Sequence, residues 1–195
     1  MRPTLKIAFV VSLALLFLCG SGSAQETKPR SFHCIEALSG WGQASLKTKQ
    51  DYHFIPVFID FDFDLKSSKG TWCSSYWGLL QFQVEPFFSL VLQPEHNFEA
   101  GTSFLLKAGL LPDTYQLQPY VKAGIGGIGM TQHTDQQATQ INFVDTLGVG
   151  THYFFDDQSG VTFEFRFRHL SNGGIKSPNK GLGSYLTLCG FSHKF

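Results

Sequence analysis

Residue types suited to acyl transfer occur together in His169-Leu170-Ser171-Asn172-Gly173-Gly174. A hydroxyl is a weak nucleophile until a base takes its proton, and a neighbouring imidazole is the usual base. Asn172 and the Gly173 and Gly174 amides would then donate hydrogen bonds to the oxyanion of a tetrahedral intermediate. On a strand, His169 and Ser171 share one face, because alternate side chains point the same way. On spacing alone, an interfacial His and Ser placed where a strand meets water explains the pair better. The remaining histidines, His33, His53, His96, His133, His152 and His193, form no i, i+4 pair. No CxxC or Cys/His spacing suggests a metal site.

The elements that must carry these residues have a period of two. From Ile55 to Leu65 every odd position is apolar, and Asp60, Asp62 and Asp64 sit between the last of them. Val161, Phe163, Phe165 and Phe167 repeat the pattern against Thr162, Glu164, Arg166 and Arg168. Each such segment is a strand with one apolar and one charged face. Weaker alternation recurs along the chain. The spacing predicts eight strands over roughly 36–47, 53–65, 77–91, 99–111, 116–130, 140–155, 160–171 and 183–195. By this parity His169 and Ser171 lie on the apolar face, where a polar pair is costly unless it sits at an interface or has a purpose. His152 falls on the opposite face and reads as a satisfied interior residue.

Composition narrows the class. The 195 residues include 15 Lys+Arg and 15 Asp+Glu, so charged residues are 15% of the chain, below the about 25% of a soluble domain. Phe and Gly each supply 20. This balance excludes a basic nucleic-acid binder and an acidic disordered chain. Arg2 and Lys6 precede an apolar run, Ile7 to Leu18, and small residues through Ala24 follow. This is the pattern of a secretory signal over 1–24, cleaved after Ala24. A lipoprotein leader on Cys19 comes second, because bulky Leu18 precedes it. The run is shorter than the about 20 residues of a membrane-spanning helix, and nothing later is long enough. One domain, 25–195, follows, with Cys34, Cys73 and Cys189 in it.

Two architectures suit eight antiparallel strands of this kind. A lipocalin-like barrel would put the apolar face inside, around a ligand. An outer-membrane barrel puts it against lipid and fills a narrow interior with polar and small residues. The glycines on the charged face and the terminal Phe195 favour the second. The expected fold is therefore all-β, an eight-stranded antiparallel up-and-down outer-membrane β-barrel.

The run from His169 through Gly181, HLSNGGIKSPNKG, resembles the signature of the lipid A 3-O-deacylase (PagL) family, also called acyloxyacyl hydrolases. The resemblance is most specific over 163–185, with weaker echoes at 117–124 and 148–150. It implies an outer-membrane barrel that hydrolyses the ester at position 3 of lipid A, without a metal or other cofactor. It further implies His169 as general base, Ser171 as nucleophile, and Asn172 with Gly174 around the oxyanion. Lipid A or lipopolysaccharide is then the substrate and outer-membrane lipid the surroundings. Nucleic acid is no partner, and a homodimer is the assembly considered. Lys176 and Lys180 stand where a loop could meet lipid A phosphates, although loop lysines are usually only solvated.

One position departs from the family pattern. A carboxylate, commonly Glu, is expected fourteen residues after the His, and here that residue is Gly183. No Asp or Glu follows Glu164. An inactive barrel, structural or adhesive, is therefore the alternative function, and a soluble carrier of an apolar ligand the third. Asp145 is the candidate replacement acid. If Phe155 faces Val161, Asp145 faces Ser171; a register two residues different puts it opposite His169. Either way it is a direct or diagonal neighbour on the apolar face. An Asp bonded to water or Lys at the membrane rim is an equal alternative.

With eight strands and periplasmic termini, strand seven ends near the outer leaflet, where lipid A resides. The same topology brings Cys34 and Cys73 to one end, where a bridge is an option. Cys189 has lipid-face parity.

Overall fold

A computed structural model describes residues 32–46, 51–66, 72–132 and 138–195. The secretory signal expected over 1–24 lies outside the described residues. Eight strands follow in order: β1 (Phe32–Ser45), β2 (Asp51–Asp64), β3 (Gly78–Gln93), β4 (Asn97–Pro112), β5 (Leu117–Met130), β6 (Ile141–Phe154), β7 (Ser159–Ser171) and β8 (Leu182–Lys194). A short 3-10 turn, Trp72–Ser75, interrupts the β2–β3 connection. Each strand pairs antiparallel with the next, and β1 pairs with β8, closing the barrel. All eight expected strands are present, and β1 begins four residues earlier than alternation alone indicated. The even count brings β1's start and β8's end to one end, here the terminal end. The β7–β8 loop lies at the other, the loop end.

The alternation resolves into an outside and an inside. Phe163, Phe165, Leu147 and Ile125 are exposed, while Glu164, Arg166, Lys107 and Lys122 on the opposite face are buried. The charged face therefore points into the barrel and the aromatic rows point out. An apolar ligand chamber, as in a lipocalin, is thereby excluded. Gly42, Gly101, Gly148 and Gly150 line parts of the interior, and a Cβ on Gly42 would fall 2.2 Å from the Phe54 ring. Gly127, Gly129 and Gly183 face outward instead.

The interior is layered. Toward the loop end it is apolar, packed by Leu38, Tyr52, Phe54, Phe58, Phe87, Leu170, Leu182 and Leu186 among others. Below lies an ion-pair network. Arg166 meets Glu85 at 2.7 Å and also pairs with Glu164; Lys122 meets Glu164 at 2.8 Å and Asp60 at 3.4 Å. Lys107 pairs with Glu36 and, at 3.0 Å, with Asp62. Two guanidinium groups join the layers, Arg166 over Phe58 at 4.4 Å and Arg168 over Phe54 at 4.3 Å. A cation over an aromatic face is attracted by the ring quadrupole, the more so when both are dry.

Two expectations need correction. Cys34 and Cys73 are not bridged: both are free, Cys34 buried inside the barrel and Cys73 in the 3-10 turn. Cys189 is also free and faces outward, as its parity required. In the β6–β7 hairpin, Tyr153 rather than Phe155 pairs with Val161. Asp156 sets this register by accepting N–H bonds from Gln158 at 2.8 Å and Ser159 at 2.5 Å. The bond from Gln158 first, then that from Ser159, holds its carboxyl below the ordinary range.

The ion network makes one prediction. Arg166→Ala leaves Glu164, Glu85 and Asp60 to share Lys122 as their remaining counter-ion. Breaking a buried pair by removing one partner costs about 3–5 kcal/mol. Urea unfolding of the refolded barrel in detergent should show a loss of that size, against little change for an outward Phe163→Leu.

Candidate active site

His169 sits near the loop end of β7, half-buried and facing outward. Ladder pairing fixes its neighbours: Asp145 stands directly across on β6, and Gly183 directly across on β8. Ser171 lies two residues on, opposite Phe143, on the same face. Of the two registers open from sequence, the one adopted brings Asp145 to the histidine. Opposite residues in an antiparallel pair hold their Cβ atoms about 4.5–5.5 Å apart. Asp145 is exposed and stands in the otherwise apolar row of Phe143, Leu147 and Val149. Among the described residues no hydrogen bond or ion pair joins the imidazole to Asp145 or to Ser171. Such bonds are commonly long without substrate and close when it binds.

The loop after β7 is built around Asn172, whose side chain is buried. Its Nδ2 donates to the Lys176 carbonyl at 2.7 Å, and its Oδ1 accepts the Gly174 N–H at 3.0 Å. The Asn172 N–H donates to Asn179 Oδ1 at 3.0 Å. Both residues expected at the oxyanion are thus occupied in holding the loop. The Gly173 N–H, in contrast, points at the serine, 3.4 Å from Ser171 Oγ. Gly173 and Gly174 both have positive φ, 63° and 78°, a conformation that costs other residues about 1–2 kcal/mol.

Sequence reasoning assigned no part to Gly181. Its φ is 67°, and a Cβ there would lie 2.4 Å from His169 Cε1. The imidazole therefore rests against a backbone that only glycine leaves bare. Asn179, the partner of Asn172, was likewise unassigned. Glycines and asparagines in the loop were the available signal, but only coordinates tell which touches the histidine. Lys176 and Lys180 are exposed in the same loop.

Beside Gly183 the outer wall carries a groove of about 440 Å³, lined by Gln43, Ala44, Asp51, His53, Gly183 and Tyr185. It runs from the strand next to His169 across β1 to β2. The absent side chain at 183 keeps its near end open.

The model of the family described as lipid A 3-O-deacylase (PagL) matches residues 52–192, which include Asp145, His169, Ser171 and Gly183. Lipid A deacylase PagL of Pseudomonas aeruginosa is 36% identical over 72 residues, 35% of this chain. The chain spans 39% of that curated relative's length. The crystal structure of the outer membrane enzyme PagL overlays with a TM-score of 0.60 at 18% identity, covering 82% of this chain and 97% of that one. The outer membrane protein OprG from Pseudomonas aeruginosa overlays at 0.51 and 10% identity, covering 85% and 97%. At such identities the overlays speak for the fold, an eight-stranded barrel with a lipid-facing apolar wall. With a family match over most of its length, the chain is an outer-membrane β-barrel that belongs to the lipid A 3-O-deacylase (PagL) family.

Proposed function

We propose that the barrel is an esterase that removes the 3-O-linked hydroxyacyl chain of lipid A through Ser171 and His169. The observation that carries this reading is the row Asp145–His169–Gly183, three residues level with one another on the outer wall. His169 takes the Ser171 proton as Oγ attacks the ester carbonyl. The Gly173 N–H, nearest to Oγ, donates to the developing oxyanion; Asn172, which accepts the Gly174 N–H, holds that loop in place. The tetrahedral intermediate breaks its bond to the sugar oxygen, which leaves with the proton from His169. Water, deprotonated by the same imidazole, then attacks the acyl-serine and releases the 3-hydroxy fatty acid. Asp145 orients the imidazole and stabilises its protonated form, the part taken by the acid of a serine triad.

With an even strand count both termini fall at one end, and an outer-membrane barrel of this kind keeps that end periplasmic. His169 and Ser171 then lie beside the outer leaflet. An ester on the outer wall reaches the serine without leaving the bilayer. All the groups named belong to one chain, so a homodimer is not required for the chemistry. The competing reading, a barrel without activity, rests on Gly183.

Expression in a host whose lipid A keeps its 3-O-acyl chains separates the two. Mass spectrometry should show loss of one hydroxyacyl chain with the native sequence and none with Ser171→Ala. An unchanged lipid A with the native barrel folded would establish the inactive alternative.

Asp145→Ala should lower kcat by up to about 10⁴-fold, the loss that follows when a serine triad loses its acid, with KM little changed. Gly183→Glu in that background supplies a carboxylate from the other side of His169 and should recover part of the rate. A fully active Asp145→Ala removes Asp145 from the mechanism.

Gly181→Ala should displace the His169 ring and suppress kcat at least about tenfold. The barrel itself should lose only about 1–2 kcal/mol, the cost of the left-handed backbone.

A further inference from the structure

The terminal end of the barrel interior holds groups that the ester chemistry does not use. A cavity of about 130 Å³ opens there, its mouth formed by Lys66, Asp113 and Lys194. Cys34, Glu36, Asp62 and His152 line its inner part. The Cys34 sulfur and one carboxylate oxygen each from Glu36 and Asp62 lie within 4.8 Å of one another. The His152 Nε2 is 3.6 Å from Glu36 Oε1. Glu36 is fully buried, yet its Oε2 has no hydrogen-bond partner. A buried carboxylate oxygen without a partner needs one, because its desolvation is otherwise uncompensated.

We propose that Cys34, Glu36, Asp62 and His152 form a Zn²⁺ site. One thiolate, one imidazole and two carboxylates are a ligand set this ion takes, at about 2.0–2.3 Å from each. Ligand atoms around tetrahedral zinc stand roughly 3.3–3.8 Å apart, so small side-chain movements close Cys34, Glu36 and Asp62 on an ion, and His152, close to Glu36 but outside that set, turns farther to join them. The imidazole is already oriented: Thr162 Oγ1 lies 2.8 Å from Nδ1, and Ser192 Oγ 3.3 Å, leaving Nε2 toward the cavity. A hydrogen bond at the other ring nitrogen is the usual support of a metal-bound histidine. Lys107 on both carboxylates and Gln83 on Asp62 Oδ1 at 2.6 Å become outer partners, since each carboxylate oxygen has a second lone pair. The Cys34 thiol, which now makes a 3.5 Å contact to the Ile35 carbonyl, loses its proton to solvent on binding.

Charge balance points the same way. The buried network sets five carboxylates, Glu36, Asp60, Asp62, Glu85 and Glu164, against three fixed cations, Lys107, Lys122 and Arg166. Fully ionised, it carries −2; a divalent ion and one lost thiol proton bring it to −1. A second carboxylate cluster, Glu36, Asp60 and Glu164, lies deeper, but it offers no sulfur or nitrogen. The proposed ion would tie β1 and β2 to β6 across the lumen. Because its ligands come from three separate strands, no spacing in the sequence reveals it.

Co²⁺ tests the site, as its thiolate charge-transfer band reports a bound sulfur directly. The untagged full chain, refolded in detergent after chelation, should bind one Co²⁺ with that band, and Zn²⁺ should displace it. Cys34→Ser should abolish the band, whereas Cys73→Ser and Cys189→Ser should keep it. His152→Gln should weaken binding about tenfold or more, and Zn²⁺ should raise the unfolding midpoint of the native chain but not of Cys34→Ser. Each variant is first checked for the heat-modifiable migration of a folded barrel. No stoichiometric Co²⁺ uptake by the folded native chain, or a band that survives Cys34→Ser, overturns the proposal.

Discussion

Hydrocarbon offers the backbone no hydrogen-bond partner, so every N–H and C=O in it must be paired within the protein. For eight strands this demands closure of β1 on β8, and closure locks the registers all the way round. A slip of one residue would turn every aromatic row inward and every charge outward. The wall that carries His169 inherits this rigidity. Asp145, His169 and Gly183 are level because three strands are hydrogen-bonded in fixed register, not because a loop happens to fold over them.

Closure also creates the cost that the interior must meet. With the apolar side chains against lipid, the polar ones are enclosed in a narrow dry lumen, where an unpaired charge is expensive. The chain meets this in two ways. Around Phe54, Phe58 and Phe87 the lumen is filled by apolar packing, and glycines at 42 and 101 make room for the large rings. Elsewhere lysine and arginine each reach several carboxylates, as Lys122 does Glu164, Asp60 and Glu85. Arg166 and Arg168 lie over the aromatic rings at the boundary, so one guanidinium serves both layers.

Most of the fold was legible because a period of two is a direct record of a two-faced strand. Phe163, Phe165 and Phe167 against Glu164, Arg166 and Arg168 separate the two faces, and the glycines with the terminal Phe195 chose which of them faces in. What alternation cannot carry is where a hairpin turns. The β6–β7 register depended on Asp156 capping two amides, and that decided whether Asp145 met the serine or the histidine. The apolar half of the lumen was also hidden, since Phe54 and Phe58 occupy interior positions that composition alone assigns to the lipid side. At the site, His169 and Ser171 were visible as a pair. Gly181 was visible only as a letter in a motif, because its contact with the imidazole comes from the path of the loop.

The departure at position 183 takes on a different meaning once the ladders are known. A strand residue in a barrel has two lateral neighbours, and those of His169 are residues 183 and 145. An acid on β8 and an acid on β6 approach the ring from opposite sides at the same height. Exchanging one for the other moves the carboxylate across the imidazole, from a neighbour of one pair type to a neighbour of the other. The exchange also frees space, for the groove toward Tyr185 and His53 begins where the β8 side chain would stand. The wall beside His169 is therefore backbone at Gly183 and carries a carboxylate on the other side of the histidine, at Asp145. The same residue that departs from the family pattern thus opens the wall beside His169, so the side of the ring that carries an acid and the side that carries the groove are one geometric choice.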